Sequence, residues 1–198
     1  MVRDYRLDAL KMFLMVCVIF GHIPLLDGLF DVGLPEGYDA LTSYTVSGIY
    51  AFHMPLFVLV SGYFTRRKPI GKQFSGSLKL LRLFLVFQLV DLAILYFVGN
   101  EPVSIRRIVC PRFALWYLLC LFYWRMLLSV IPQSWSPKWI VGASFIASLA
   151  VGFTPIGFEM GLHRFFSFMP YFMIGHYYGA EILHHIENKV ISTPPHAK

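Results

Sequence analysis

Residues 7–23 read LDALKMFLMVCVIFGHI. From Met12 to Phe20 every residue is apolar, yet Asp8 and Lys11 stand at one end and His22 stands at the other, behind Gly21. An ionisable group inside a bilayer costs about 2.5–3.5 kcal/mol at the helix centre, so each needs a partner, a wet cavity or a task. The spacing is informative. Lys11 and His22 are eleven residues apart; at about 100° per residue that is close to three turns, so both point the same way, about 16 Å apart along the axis. Asp8 lies one turn before Lys11, within reach of an ion pair. The stretch predicts a membrane-crossing helix with one polar stripe.

The whole chain agrees. Its 198 residues are 57% hydrophobic, 17% aromatic and only 14% charged, with mean hydropathy +0.62. Soluble domains carry about 25% charged residues. The composition therefore predicts an integral membrane protein, surrounded by membrane lipids. The net charge of +6 comes from cations at the ends of apolar runs, where membrane topology puts them, so nucleic acid is excluded as a partner. Cys17, Cys110 and Cys120 are scattered and odd in number; they read as plain hydrophobes rather than a disulfide frame or metal knuckle. The N-terminus lacks a small-x-small cleavage site and reads as a retained first span.

Runs long enough for the about 20 residues that a crossing requires fall at approximately 8–26, 48–65, 82–98, 113–131, 138–153 and 164–184. The apolar runs are too long, and alternate too little, for strands. The predicted fold is an all-α, polytopic membrane bundle of about six helices, with one transmembrane domain over about 1–186 and a flexible tail over about 187–198. The segment 27–47 holds Asp27, Asp31, Glu36 and Asp39 without Lys or Arg, whereas 66–82 holds Arg66, Arg67, Lys68, Lys72, Lys79 and Arg82 without an acid. The cation contrast places the second segment, the N-terminus and the C-terminus in the cytoplasm. Arg106, Arg107 and Arg112 fall outside in this scheme and oppose it.

The second span contains FHMPLFVLVSGYF, residues 52–64. Run antiparallel to the first, it brings His53 to the depth of His22 and puts Ser61-Gly62 level with Lys11. Pro55 is expected to break or kink it. Arg164, in HRFFSFMPYF, is expected in the outer layer with His22. Plainer readings stand beside these. His53 suits a structural hydrogen bond, and Asp8–Lys11 suits a helix-end pair. Ser61-Gly62 suits close helix packing, and Arg66, Arg67 and Lys68 suit lipid headgroups. Trp116, Tyr117, Trp124, Trp135 and Trp139 read as interface anchors and core. Gln88 and Asp91 must face protein or water. His184-His185 with Glu187 is read as solvated, and no metal is expected.

LDALKMFLMVCVIFGHI followed by FHMPLFVLVSGYF, with LWYLLCLFYW (115–124) and HRFFSFMPYFMIGHYYG (163–179) in the same order, resembles the membrane-bound acyltransferase family 3, in particular its fucose 4-O-acetylase-like branch. The resemblance implies an enzyme moving an acetyl group from acetyl-CoA to a hydroxyl of a cell-envelope or exported glycan. It also implies a multi-pass position in a cell membrane of the bacterial inner-membrane type. It implies His22 as the catalytic residue; the chemistry of acyl transfer then makes His22 the base, with Arg164 or His53 expected to steady the oxyanion where they share its layer. Lys11, paired with Asp8, stands where many relatives have Arg, keeping the charge but losing the planar fork. With Arg66, Arg67, Lys72 or Arg82 it is expected to hold the CoA phosphates. A direct ternary complex and an acetyl-histidine relay both fit. Relatives have in the region of ten spans, so a truncated member or a fragment is expected. The rival reading is a non-catalytic membrane protein, either a degenerate acyltransferase or a transporter-like accessory subunit.

Overall fold

The computed structural model describes residues 5–30, 38–98, 104–111, 114–157 and 159–192. Side chains are described for all of these except residues 6, 22–30, 38–46, 187 and 190–192. The described residues form helices α1 (Tyr5–Phe30), α2 (Tyr38–Phe64), α3 (Ile70–Phe97), α4 (Ile105–Val109), α5 (Leu115–Val130), α6 (Pro137–Val151) and α7 (Leu162–Ser192), with a 3-10 turn at Glu159–Gly161 before α7. No strand occurs among them.

Six long helices match the six expected runs; the ends of α5 and α6 fall close to those expected, whereas α2 and α3 begin well before the expected starts near 48 and 82. The segment 66–82 is mostly helix rather than loop: α3 begins at Ile70, after Pro69. Its first turns are polar, but Gln73 and Ser77 fall on the same face as Phe84, Gln88 and Leu95, and all five are buried. That packing face carries the helix past its apolar part. Helix α2 begins at Tyr38 and runs through Pro55, so of the expected break or kink, the break does not occur. Proline removes one intrahelical hydrogen bond, which a membrane helix tolerates when neighbours re-satisfy the backbone. Helix α5 ends where Ile131, preceding Pro132, turns extended (φ −57°, ψ 127°), as a residue before proline prefers. Helix α6 opens with Pro137 in its first turn, where the missing N–H costs nothing.

The helices alternate in direction. At one end Lys11 of α1 meets Phe64 of α2, and Arg67, just after α2, donates to the Ile131 carbonyl at the end of α5. At the other end Gln88 of α3 donates to the Arg107 carbonyl of α4 at 3.0 Å, and Arg164 of α7 lies over Trp116 of α5. We call these the Lys11 end and the Arg164 end.

The core lies where α5, α6 and α7 meet α2. Trp124 is fully buried, stacked on Phe172 at 5.2 Å and 23°, and its indole N–H donates to the Phe165 carbonyl at 3.1 Å. Lipid offers little hydrophobic drive for helix association, so close approach must supply the attraction. It does so along the α2–α7 seam. A Cβ on Gly62 would run into the Phe172 carbonyl oxygen, and one on Gly175 into the Leu59 carbonyl oxygen. Ser61-Gly62 thus serves the packing read for it.

The outward faces are apolar. Leu85, Val86, Phe87 and Leu89 of α3 and Phe13, Ile19 and Phe20 of α1 are exposed, while Gln73, Ser77 and Gln88 are buried. Polar groups inside and large apolar groups outside describe a bundle whose solvent is lipid. The stretches Ser47–Phe64 and Ile70–Phe97 are each long and apolar enough to cross a membrane; α5 and α6 are apolar but shorter. The fold is an all-α membrane bundle. Trp116 and Trp124 belong to its core, whereas Trp135 and Trp139, beside the α5–α6 turn, are exposed.

Candidate functional site

Two polar layers lie at opposite ends of the bundle. At the Lys11 end, the Lys11 ammonium sits 3.5 Å from the centre of the Phe64 ring and 3.9 Å from Asp8. Phe64 also walls a cleft of about 190 Å³. Its rim carries Arg66, Lys68 and Lys72, and its floor carries Gln73, Ser77 and Arg125. No Asp or Glu lines it. Four cations around a half-enclosed space of low dielectric favour an anion.

Of the cations predicted for this layer, Lys11, Arg66 and Lys72 come together here, Lys11 through Phe64. Arg67 does not line the cleft: it ties the α2–α3 connection to the Ile131 carbonyl at the end of α5. Arg82 is exposed on α3, twelve residues beyond Ile70 and outside the cleft lining. Arg125 escaped sequence reasoning. Its signal was present, as the one cation inside LWYLLCLFYWRMLLSV.

The other layer centres on Tyr50. Its ring lies 5.1 Å from that of His53, edge to face. His53 is fully buried, and its Nδ1 pairs with the Ile49 carbonyl at 2.6 Å; a neutral imidazole then donates from Nδ1 and presents Nε2 as acceptor. The structural hydrogen bond read for His53 is therefore present. Arg164 lies 5.1 Å from the Trp116 ring, close enough to Tyr50 and Cys120 for its charge to act on both. Cys120 donates to the Gly161 carbonyl at 3.4 Å. Gly161 has φ +69°, a conformation that glycine adopts without penalty, and it sets the turn that delivers Arg164 here.

Helix α1 reaches this layer at Gly21, where an added Cβ would lie 3.2 Å from the Tyr50 ring. His22 is the next residue of the helix; its side chain lies outside the described residues. The acidic residues Asp27, Asp31, Glu36 and Asp39, and Arg112, also lie outside them, in side chain or entirely. Tyr50 had no sequence signal, because a tyrosine near a span end reads as an interface anchor.

Between the layers, Ser61 of α2 and Tyr117 of α5 share a 2.6 Å hydrogen bond, and Phe57 packs edge to face on Tyr117 at 5.0 Å. Phe64 and His53 are eleven residues apart on α2, about 16 Å along its axis. Elsewhere, Gln88 is buried against α4 and Asp91 is half-buried. His184 and His185 are exposed; the Glu187 side chain is outside the described residues. Among those residues no cluster of three potential metal ligands forms.

A helical membrane bundle with an acid-free cationic cleft at one end and an imidazole–guanidinium layer at the other has the build of an integral membrane protein with polar layers flanking its core. The sequence model of the acyltransferase domain of acyltransferase family 3 matches residues 4–190, and the chain belongs to that family. It is a membrane acyltransferase. No curated protein and no solved structure matches it.

Proposed function

We propose that the protein transfers an acetyl group from acetyl-CoA to a hydroxyl of a cell-envelope or exported glycan, as in the fucose 4-O-acetylase-like branch, with the Lys11 end in the cytoplasm. The observation that carries this is the acid-free cationic cleft at the Lys11 end. It offers Arg66, Lys68 and Lys72 to the phosphates of a CoA donor, while Lys11 adds charge beside it over Phe64. The pantetheine arm then runs along α2, past Ser61 and Tyr117, toward the layer of Tyr50, His53 and Arg164.

There His22 acts as the base. The acceptor hydroxyl gives its proton to the imidazole as its oxygen attacks the thioester carbonyl. The carbon–sulfur bond breaks, and the imidazolium returns the proton to the departing CoA thiolate. Arg164 steadies the oxyanion that forms between these steps; the neutral His53, which presents an acceptor nitrogen, does not donate to it. The lipid-facing exterior keeps competing water away. Handling donor charge at one end and chemistry at the other lets cytoplasmic acetyl-CoA serve an acceptor approached from outside.

The test is acetyl transfer by the full chain in proteoliposomes, read as acceptor-dependent release of CoA thiol. His22→Ala abolishes transfer at unchanged abundance and insertion. Undiminished transfer by that variant refutes the mechanism.

A further inference from the structure

The floor of the cleft differs in kind from its rim. Arg66, Lys68 and Lys72 are exposed, as befits groups that meet a ligand from water. Gln73 and Ser77 are 5% and 1% exposed. Gln73 Oε1, Ser77 Oγ and Arg125 Nε are buried and have no hydrogen-bond partner among the described residues. These three residues, from two helices, line one space, and buried polar atoms without a partner are costly unless something meets them. The guanidinium is a planar fork. The Ser77 hydroxyl rotates to donate, and the Gln73 amide presents N–H₂ when its two interchangeable ends are swapped. Together they form a concave set of donors with one fixed positive charge.

The matching ligand group is a terminal phosphate monoester, with a charge of about −1.5 to −2 and three acceptor oxygens. A bridging diphosphate offers each phosphorus only two free oxygens and is served by the flexible rim. The volume of about 190 Å³ is below the about 300–1,000 Å³ of a pocket that encloses a whole ligand, so it seats a group and leaves the nucleoside outside. Resting on the CoA-donor reading above, we infer that Gln73, Ser77 and Arg125 form a phosphate-monoester subsite that takes the ribose 3′-phosphate of the donor and selects CoA over dephospho-CoA. A phosphatidate headgroup carries the same chemistry, and the experiment separates the two sources.

Binding of CoA and dephospho-CoA is measured on the full chain in nanodiscs, with retained phosphatidate assayed in parallel. The wild type binds CoA at least about tenfold more tightly, and Arg125→Gln brings the ratio to about one. Removing a charge from within a span does not threaten insertion. Gln73→Leu, of similar size, lowers the same ratio and decides the matter should Arg125→Gln prove poorly folded. Equal wild-type affinities, or a ratio unchanged in both variants, overturns the subsite. Equal affinities with phosphatidate retained by wild type and lost from Arg125→Gln assign the floor to a headgroup and overturn the donor assignment. Binding of neither nucleotide overturns the CoA reading itself, so the two failures are told apart.

Discussion

Gly62 joins the fold to the cleft, so a single methyl there is the sharpest perturbation available. It lies on α2 beside Ser61, which bonds Tyr117, and two residues before Phe64, which walls the cleft. In Gly62→Ala the new carbon meets the Phe172 carbonyl oxygen and comes within 3.0 Å of the His176 backbone nitrogen. Both obstacles are backbone, so no side-chain rotation relieves the contact and α2 must move off α7. Overpacking of this kind costs about 1–3 kcal/mol, and a backbone clash belongs at the upper end. The helix-propensity gain of replacing glycine by alanine, about 0.5–1 kcal/mol, does not offset it. Gly142→Ala on α6 is the matched control: nothing lies within 4 Å of its added Cβ, so only the gain remains. Thermal unfolding in detergent is the assay. Gly62→Ala lowers Tm and Gly142→Ala holds or raises it. Equal shifts of the same sign refute the packing described for the α2–α7 seam.

Trp124→Leu strips a fully buried indole of its stacking and its 3.1 Å hydrogen bond; it destabilises by about 3 kcal/mol or more, whereas Trp139→Leu, at 79% exposure, changes unfolding little. Arg67→Ala removes the donor to the Ile131 carbonyl and lowers stability by about 1–3 kcal/mol, seen as a lower Tm. Tyr117→Phe deletes the hydrogen bond to Ser61; Ser61 keeps its 2.7 Å bond to the Phe57 carbonyl, so the loss is only about 0.5–1.5 kcal/mol by thermal unfolding.

The helical bundle was legible because runs such as residues 12–20 admit few other folds. The starts of α2 and α3 were not. The expected start of the third span, near residue 82, missed three turns of α3, since hydropathy registers lipid-facing length and not a polar face buried on a neighbour. Turn counting matched His53 and Arg164 each to the depth of His22, whose side chain lies outside the described residues. The role of Arg67 was not legible, because a cation at a span end looks the same in sequence whether it meets a headgroup, a ligand or a carbonyl. Arg125 needed only the question asked of Lys11, what a cation does inside an apolar run. Gln73 and Ser77 needed coordinates, for Arg125, which shares the cleft with them, is about fifty residues away in the chain.

The cationic cleft at the Lys11 end carries the proposed function, and CoA binding tests it most directly. Titrated with CoA, the intact chain shows affinity that weakens steeply with salt, and replacing Arg66, Lys68 and Lys72 together by Gln removes it while the protein stays folded. Salt-insensitive binding, or binding that survives the triple replacement, contradicts the role assigned to the cleft.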